Sequence, residues 1–219
     1  MTNRIFICGD STAASYNPAE TLIVGWGQAL AEILPGTEVF NHAMAGRSTR
    51  TFLEEGRLQR LDGALRPGDL LLVQFGHNDA SDKPERHTEP WTGYRDNLKV
   101  FVRFARERGA VPVLLTPVCM RIWKNGELQD THGEYPAAVR STAEEESVLL
   151  MDMYRESFRI VEAVGEAGSR ALFMNLAAGE DPRYPDGLED NAHTRRAGAE
   201  RFAGVAADWL RGYGVREDK

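Results

Sequence analysis

Two patterns alternate along this chain, and their fivefold repetition is what most limits the folds open to it. Short apolar runs have strand length: RIFIC (4–8), EVFNHA (38–43), LLLVQF (70–75), VPVLLTP (111–117) and VLLMDM (148–153). Longer stretches with helical spacing lie among them. Trp26, Leu30, Ile33 and Leu34 mark 26–34, and Phe52, Leu53, Leu58, Leu61 and Leu65 mark 49–65. Tyr94, Leu98, Phe101 and Ala105 mark 91–108, and Tyr154, Phe158, Val161 and Val164 mark 154–164. The last, 195–212, carries Phe202, Val205, Ala206 and Trp209, with Thr194 as its expected N-cap. Gly109 is placed to end the third helix. Three of the apolar runs are nearly continuous, which fits parallel strands covered on both faces. The alternation predicts an α/β three-layer α/β/α sandwich around a parallel sheet, with right-handed crossovers placing helices on both sides.

A chain of 219 residues suits one domain, 1–219, and would be cramped for two. A net charge of −7 argues against nucleic acid as the main partner, since phosphate binding needs a basic surface. No apolar run is long enough to span a bilayer, so no membrane partner is expected. MTNRIFICGD has no charged segment followed by a long apolar stretch and cleavage site, so a cytoplasmic location is expected for the sequence as it stands. Cys8 and Cys119 fall near the first and fourth strands. Two strand spacings would separate them by roughly 10 Å, beyond disulfide reach, so both read as buried thiols.

In parallel sheets, ligands bind outside the carboxyl ends of the strands. There the sequence reads GDST (9–12), NHAMAGRST (41–49), GHND (76–79) and TPVCMR (116–121), and a late loop holds DNAHT (190–194). These are the parts of an acyl-transfer site. A serine hydroxyl is a weak nucleophile that needs a base in hydrogen-bond reach. Ser11 supplies the hydroxyl, His193 the base, and Asp190 the carboxylate that fixes the imidazole tautomer. The backbone N–H groups of Ser11 and Gly46 and the side-chain amide of Asn78 are candidate donors to the oxyanion.

These four blocks, in this order and spread over nearly the whole chain, resemble the SGNH (GDSL-like) hydrolases. The resemblance implies a flavodoxin-like five-stranded sheet of order 2-1-3-4-5, a Ser-His-Asp triad, and no metal or other cofactor. The family's first block usually ends in leucine, but Thr12 stands there in this chain. GDST, GWGQAL (25–30), GRSTRTF (46–52) and GHND together resemble the rhamnogalacturonan acetylesterase branch. That branch implies an acetylated pectic oligosaccharide as substrate. An acetylxylan esterase, another short-chain esterase or a lipase of the same superfamily is the alternative.

Other polar residues have plainer readings. Asp10 and Asp79 read as loop braces whose carboxylates accept backbone N–H bonds, and Asn41 as a brace of the second block. His42, His87 and His132 read as surface or loop residues. Arg47, His77, Trp91, Trp123 and Tyr135 are candidate sugar contacts, all but His77 expected on loops. Glu144, Glu145 and Glu146 read as a solvated helix face, and Arg195 and Arg196 as solvent-facing. The segments 80–90 and 175–189 are open to roles as lids, ordered loops or dimer contacts. A metal-dependent phosphoesterase is disfavoured, because histidine pairs are missing and GHND has the wrong order for the block it would need. A glycan-binding module without catalysis is disfavoured by the complete set of catalytic residue types.

Overall fold

The computed structural model describes residues 4–215. Five parallel strands form the central sheet: β1 (Ile5–Gly9), β2 (Val39–Asn41), β3 (Leu70–Gln74), β4 (Val111–Leu115) and β7 (Leu149–Met151). Their order is β2-β1-β3-β4-β7, which for the central strands alone is 2-1-3-4-5, as expected. The continuous apolar runs are explained by a core on each face of the sheet. Ile5, Ile7, Leu70, Leu72, Val113 and Leu115 enter one core. Their strand neighbours Phe6, Cys8, Leu71, Val73 and Leu114 enter the other.

The first core is covered by α1 (Trp26–Ile33), α5 (Met153–Ser169) and α6 (Arg196–Tyr213). The second is covered by α2 (Thr49–Glu54), α3 (Arg95–Glu107) and α4 (Tyr135–Glu145). No helix among the described residues is long and apolar enough to cross a membrane. Cys8 and Cys119 are free and buried, and burial pushes both thiols up, Cys119 to about 12.

Several elements depart from the sequence expectations. The stretch 49–65 is not one helix. It turns at Gly56 (φ +64°) after α2 and continues as a short 3-10 turn at Gln59–Leu61. Leu58, Leu61 and Leu65 are nevertheless buried, so the apolar spacing reported burial rather than a continuous helix. The third helix opens as a wide π turn at Pro90–Tyr94 before α3, and Gly109 (φ +68°) follows its end. Helix α4 was not anticipated, nor were the small hairpin of β5 (Trp123–Lys124) with β6 (Glu127–Leu128) and the antiparallel pair of β8 (Phe173–Leu176) with β9 (Leu188–Thr194). Thr194 does not cap α6. It ends β9, its hydroxyl donates to Val24 O at 2.7 Å, and Arg195 is the cap residue.

Candidate active site

Strand β1 ends at Gly9, and the chain turns at once around a buried carboxylate. Asp10 Oδ1 accepts Thr12 N at 2.9 Å and Thr12 Oγ1 at 2.7 Å. Thr12 Oγ1 also lies 3.0 Å from Gln74 Oε1, which accepts the Trp26 indole N–H at 2.8 Å. Threonine in place of leucine thus joins a buried polar network. Burial favours the neutral acid of Asp10, but His77 and the Thr12 donors outweigh it and hold the carboxyl below its usual range.

The far side of this loop is fixed as well. Trp26 N donates to Thr12 O at 2.9 Å, Asn41 Nδ2 to Ala13 O at 2.8 Å and Tyr16 Oη to Ser11 O at 2.8 Å. A Cβ on Gly25 would meet Ala14 O at 2.2 Å, so only glycine lets α1 start this close to the loop. Ser11 is therefore held on rigid backbone, with the residue 8% exposed.

DNAHT lies in strand β9 rather than in a loop. Its pairing with β8 is interrupted: Thr194 pairs with Phe173, yet Asp190 pairs with the next residue, Met174. Asn191, Ala192 and His193 are extruded between these pairs, and a bulge of this kind re-aims side chains. Asp190 Oδ1 holds the bulge by accepting Ala192 N at 2.9 Å and His193 N at 3.0 Å. Asp190 Oδ2 lies 2.7 Å from His193 Nδ1. Burial opposes the imidazolium, but the hydrogen bond and charge of Asp190 outweigh it and raise His193 above its ordinary pKa. Burial likewise opposes the carboxylate of Asp190, and the His193 contacts lower it overall.

Thr194 joins β9 to the serine side, because Val24 N donates to Thr194 O at 3.0 Å and the threonine hydroxyl donates back to Val24 O. Val24 lies two residues from Trp26, whose N–H holds the Ser11 loop. Electrostatics reports the same proximity, since the charge of Asp10 acts on His193 and those of Asp10 and Asp190 act on Tyr16. Among the described residues the Ser11 hydroxyl makes no hydrogen bond to His193. Catalytic hydrogen bonds are often long before substrate binds.

Gly46 (φ +78°) and Asn78 are brought together where the second and third blocks meet. Asn78 Nδ2 donates to Arg47 O at 3.1 Å, which occupies one of its two protons, and Arg86 Nη1 donates to Asn78 Oδ1 at 3.2 Å. The backbone N–H groups of Ser11 and Gly46 have no protein acceptor among the described residues. Beneath them Asp79 braces the second block, accepting Thr49 N at 3.1 Å, Thr49 Oγ1 at 2.5 Å and Thr88 Oγ1 at 2.7 Å. Burial pushes its carboxyl up to about 6. Asp10, Asp79 and Asn41 thus occupy the bracing positions expected of them.

The candidate sugar contacts separate. Arg47 pairs with Glu55 at 3.1 Å and donates to Ala45 O. His77 packs against Asp10, its Nδ1 3.3 Å from Oδ2 but poorly aligned, with the His132 ring 4.5 Å away. His132 lies on the loop before α4, but at 2% exposed it is an interior residue rather than a surface one. Tyr135 begins α4 instead of lying on a loop, and its hydroxyl donates to Asp79 O and Thr88 O, so it braces rather than lines. Trp123 lies on β5 with its indole N–H on Ser169 Oγ, in a groove with Glu162, Gly165 and Glu166 that neither Ser11 nor His193 lines. Trp91 is on the π turn, 42% exposed, with the Arg95 guanidinium 5.8 Å from its ring centre. Glu145 and Glu146 are not merely solvated, since they pair with Arg95, Lys99 and Arg106 of α3. Arg195 and Arg196 pair with Glu180 and Glu32.

One residue of the site had no role in the sequence reading. Arg121, 8% exposed, follows β4 and reaches β9: its N–H donates to Asn191 O at 2.8 Å and its Nη1 to Asn191 Oδ1 at 3.2 Å. Its other donors meet Ser169 Oγ and Glu166 O. Asn175 Nδ2 adds bonds of 3.1 Å to Asp190 O and Asn191 Oδ1. These contacts join residues up to 70 apart, and no local pattern signals them.

The GDSL-like Lipase/Acylhydrolase family model matches residues 7–201. The chain belongs to this family. It is a carboxylic ester hydrolase. The rhamnogalacturonan acetylesterase RhgT of Bacillus subtilis (strain 168) is 40% identical over 97% of this chain and 91% of its own length. The solved structure of the Bacillus subtilis protein YxiM superposes with a TM-score of 0.82 at 26% identity, over all of this chain and 58% of the other. This chain thus spans little more than half of that protein. An acetylxylan esterase of Geobacillus stearothermophilus shares the fold at a TM-score of 0.67 and 20% identity, over 99% of this chain and 96% of its own.

Proposed function

We propose that this hydrolase domain removes O-acetyl groups from a carbohydrate, most specifically a pectic rhamnogalacturonan-type oligosaccharide, through an acyl-enzyme formed on Ser11. The observation that carries the reading is the 2.7 Å contact of His193 Nδ1 with an Asp190 carboxylate already fixed by two backbone N–H groups. It leaves His193 Nε2 to act as base. The substrate class rests on the 40% identity with a rhamnogalacturonan acetylesterase along nearly the full chain.

In this mechanism Ser11 Oγ attacks the acetyl carbonyl carbon as its proton passes to His193 Nε2. Asp190 keeps the other ring proton on Nδ1 and stabilises the imidazolium. The carbonyl oxygen, now anionic, accepts hydrogen bonds from Ser11 N, Gly46 N and the Asn78 proton that faces away from Arg47 O. The carbon–oxygen bond to the sugar breaks, and the sugar hydroxyl departs with the proton held by His193. Water then gives a proton to His193 and attacks the acetyl-serine, the proton returns to Ser11 as the bond to its Oγ breaks, and acetic acid leaves, ionising to acetate in solvent.

The test is acetate release from acetylated pectic and xylan oligosaccharides and from nitrophenyl esters of rising acyl length, with the wild type and Ser11→Ala. Release from pectic fragments by the wild type alone is the expected result. A preference for long acyl chains would move the reading to a lipase. No Ser11-dependent release from any ester would reject it.

A further inference from the structure

We propose that Arg86 is a specificity-determining residue that receives a carboxylate of the sugar chain bearing the scissile acetyl group. It would thereby select uronate-containing over neutral acetylated oligosaccharides. This deepens the esterase reading above and rests on it.

The guanidinium lies beside Asn78 and Gly46. Arg86 Nη1 donates to Asn78 Oδ1 at 3.2 Å, and a Cβ built on Gly46 would have Arg86 Nη2 as its nearest neighbour at 3.7 Å. The cation therefore sits against two of the three residues proposed to hold the oxyanion. Its other donors have no protein partner, and no carboxylate lies within ion-pair distance among the described residues. The arginines around it are engaged: Arg47 and Arg57 with Glu55, and Arg50 with Glu54. Arg86 is half-buried rather than free in solvent.

The segment that carries it is stapled in place. Arg50 Nη1 donates to Pro84 O and His87 O. Arg86 N and His87 N both donate to Lys83 O, Thr88 N donates to Asp79 O, and Thr88 O accepts the Tyr135 hydroxyl. This answers the question left open for 80–90, which is an ordered loop built across the second and third blocks. A planar guanidinium held by one edge keeps its remaining donors in a fixed fork that matches a carboxylate. The chain's net charge of −7 makes such a cation more telling, because an anionic oligosaccharide approaches against the overall field.

The test compares one acetylated oligogalacturonide in two forms, with free carboxylates and with those carboxylates methyl-esterified, on wild type, Arg86→Gln and Arg86→Lys. Hydrolysis of 4-nitrophenyl acetate runs in parallel. In the wild type, kcat/KM should favour the free acid by ~10-fold or more, the scale of a hydrogen bond to a charged group. Arg86→Gln should abolish this ratio, chiefly through KM, and Arg86→Lys should retain part of it. Added salt should reduce wild-type kcat/KM for the free acid and leave the methyl ester unaffected, a readout that needs no variant. A wild type with no preference, or Arg86→Gln retaining the full preference, overturns the proposal. So does an equal fall in kcat on both forms, which would make Arg86 only a support for Asn78. Ser11-dependent hydrolysis of nitrophenyl acetate in any of these cases leaves the esterase reading standing. Its absence removes both.

Discussion

His193 Nδ1 lies 2.7 Å from one oxygen of Asp190, while the other oxygen accepts the backbone N–H groups of Ala192 and His193 itself. The carboxylate that orients the ring also shapes the bulge that carries it, so side chain and backbone are fixed by one group. Asp190→Asn should therefore do more than remove a charge. An amide can place its N–H against Nδ1 and so stabilise the tautomer whose Nε2 carries a proton, which cannot act as base. We expect kcat to fall by roughly 10⁴-fold with KM little changed, as for loss of the tautomer-setting carboxylate in a serine triad. Single-turnover acetate release on wild type and variant would check this, and a loss under tenfold would rule out Asp190 as the orienting group.

The same pair sets a pH dependence with opposite signs for activity and stability. In the proposed mechanism the base must be neutral, and Asp190 raises His193 above its ordinary value. Activity should climb as pH rises through that raised value. The raised pKa also means that protonated His193 stabilises the fold fully below its unfolded value, and that this contribution is lost as pH rises through the folded one. Asp190 is depressed, so its contribution is present above its unfolded value and lost as pH falls through the folded one. The protein should give up part of this stabilisation over the interval in which it becomes active. Urea midpoints across pH for wild type and His193→Gln test the point: their difference should shrink as the kcat/KM acid limb rises.

The oxyanion assignment makes separable predictions at Asn78 and Gly46. Asn78→Ala removes the proposed oxyanion donor together with its bond to Arg47 O, and kcat should fall ~10²–10³-fold. An unchanged rate would end the assignment. Gly46 has φ +78°, while an added Cβ would meet nothing nearer than Arg86 Nη2 at 3.7 Å, an ordinary contact. The cost of Gly46→Ala is thus backbone strain, about 1–2 kcal/mol, or a shift that re-aims the N–H. Urea denaturation beside kcat would distinguish these: strain alone lowers the midpoint, and a shifted donor lowers kcat.

The alternation of apolar runs made the parallel sheet legible, and the resemblance to the SGNH hydrolases carried its strand order. The strands of the central sheet are apolar on both faces, as Ile5 and Ile7 against Phe6 and Cys8 illustrate. Asp10 and Asp79 read correctly as braces because a short carboxylate after a strand has few partners other than nearby N–H and hydroxyl groups. What failed was whatever depends on distant pairing. DNAHT looks like a loop because its strand is broken by three extruded residues, and β8 makes sense only once β9 lies beside it. Tyr135 looked like a sugar platform because its hydroxyl partners, Asp79 O and Thr88 O, are 56 and 47 residues away. His132 looked exposed because its packing against His77 and Tyr154 leaves no local signature.

Arg121 gives the last prediction. It is nearly buried and donates to Asn191 O, Asn191 Oδ1, Ser169 Oγ and Glu166 O, with no carboxylate among these acceptors. Neutral groups take its hydrogen bonds; burial is the leading cause of its lowered pKa, with the charge of Arg170 beside it, and the charges of Glu166 and Glu189 oppose them. Arg121→Met would keep much of the volume and remove three side-chain hydrogen bonds, each worth about 0.5–1.5 kcal/mol net, while Asn191 Oδ1, Ser169 Oγ and Glu166 O keep their bonds from Asn175, Trp123 and Ser169. We expect a net loss of roughly 2–4 kcal/mol in urea denaturation. Because Asn191 adjoins Asp190 at the start of the bulge, kcat should fall as well, with KM changing less. Asn191→Ala removes only one of the three side-chain bonds of Arg121, and both variants keep the backbone bond to Asn191 O, so it should reproduce a smaller part of both effects. If Arg121→Met lowers stability and leaves kcat untouched, the arginine supports the fold alone. If both fall together, the bulge that presents His193 is held from β4.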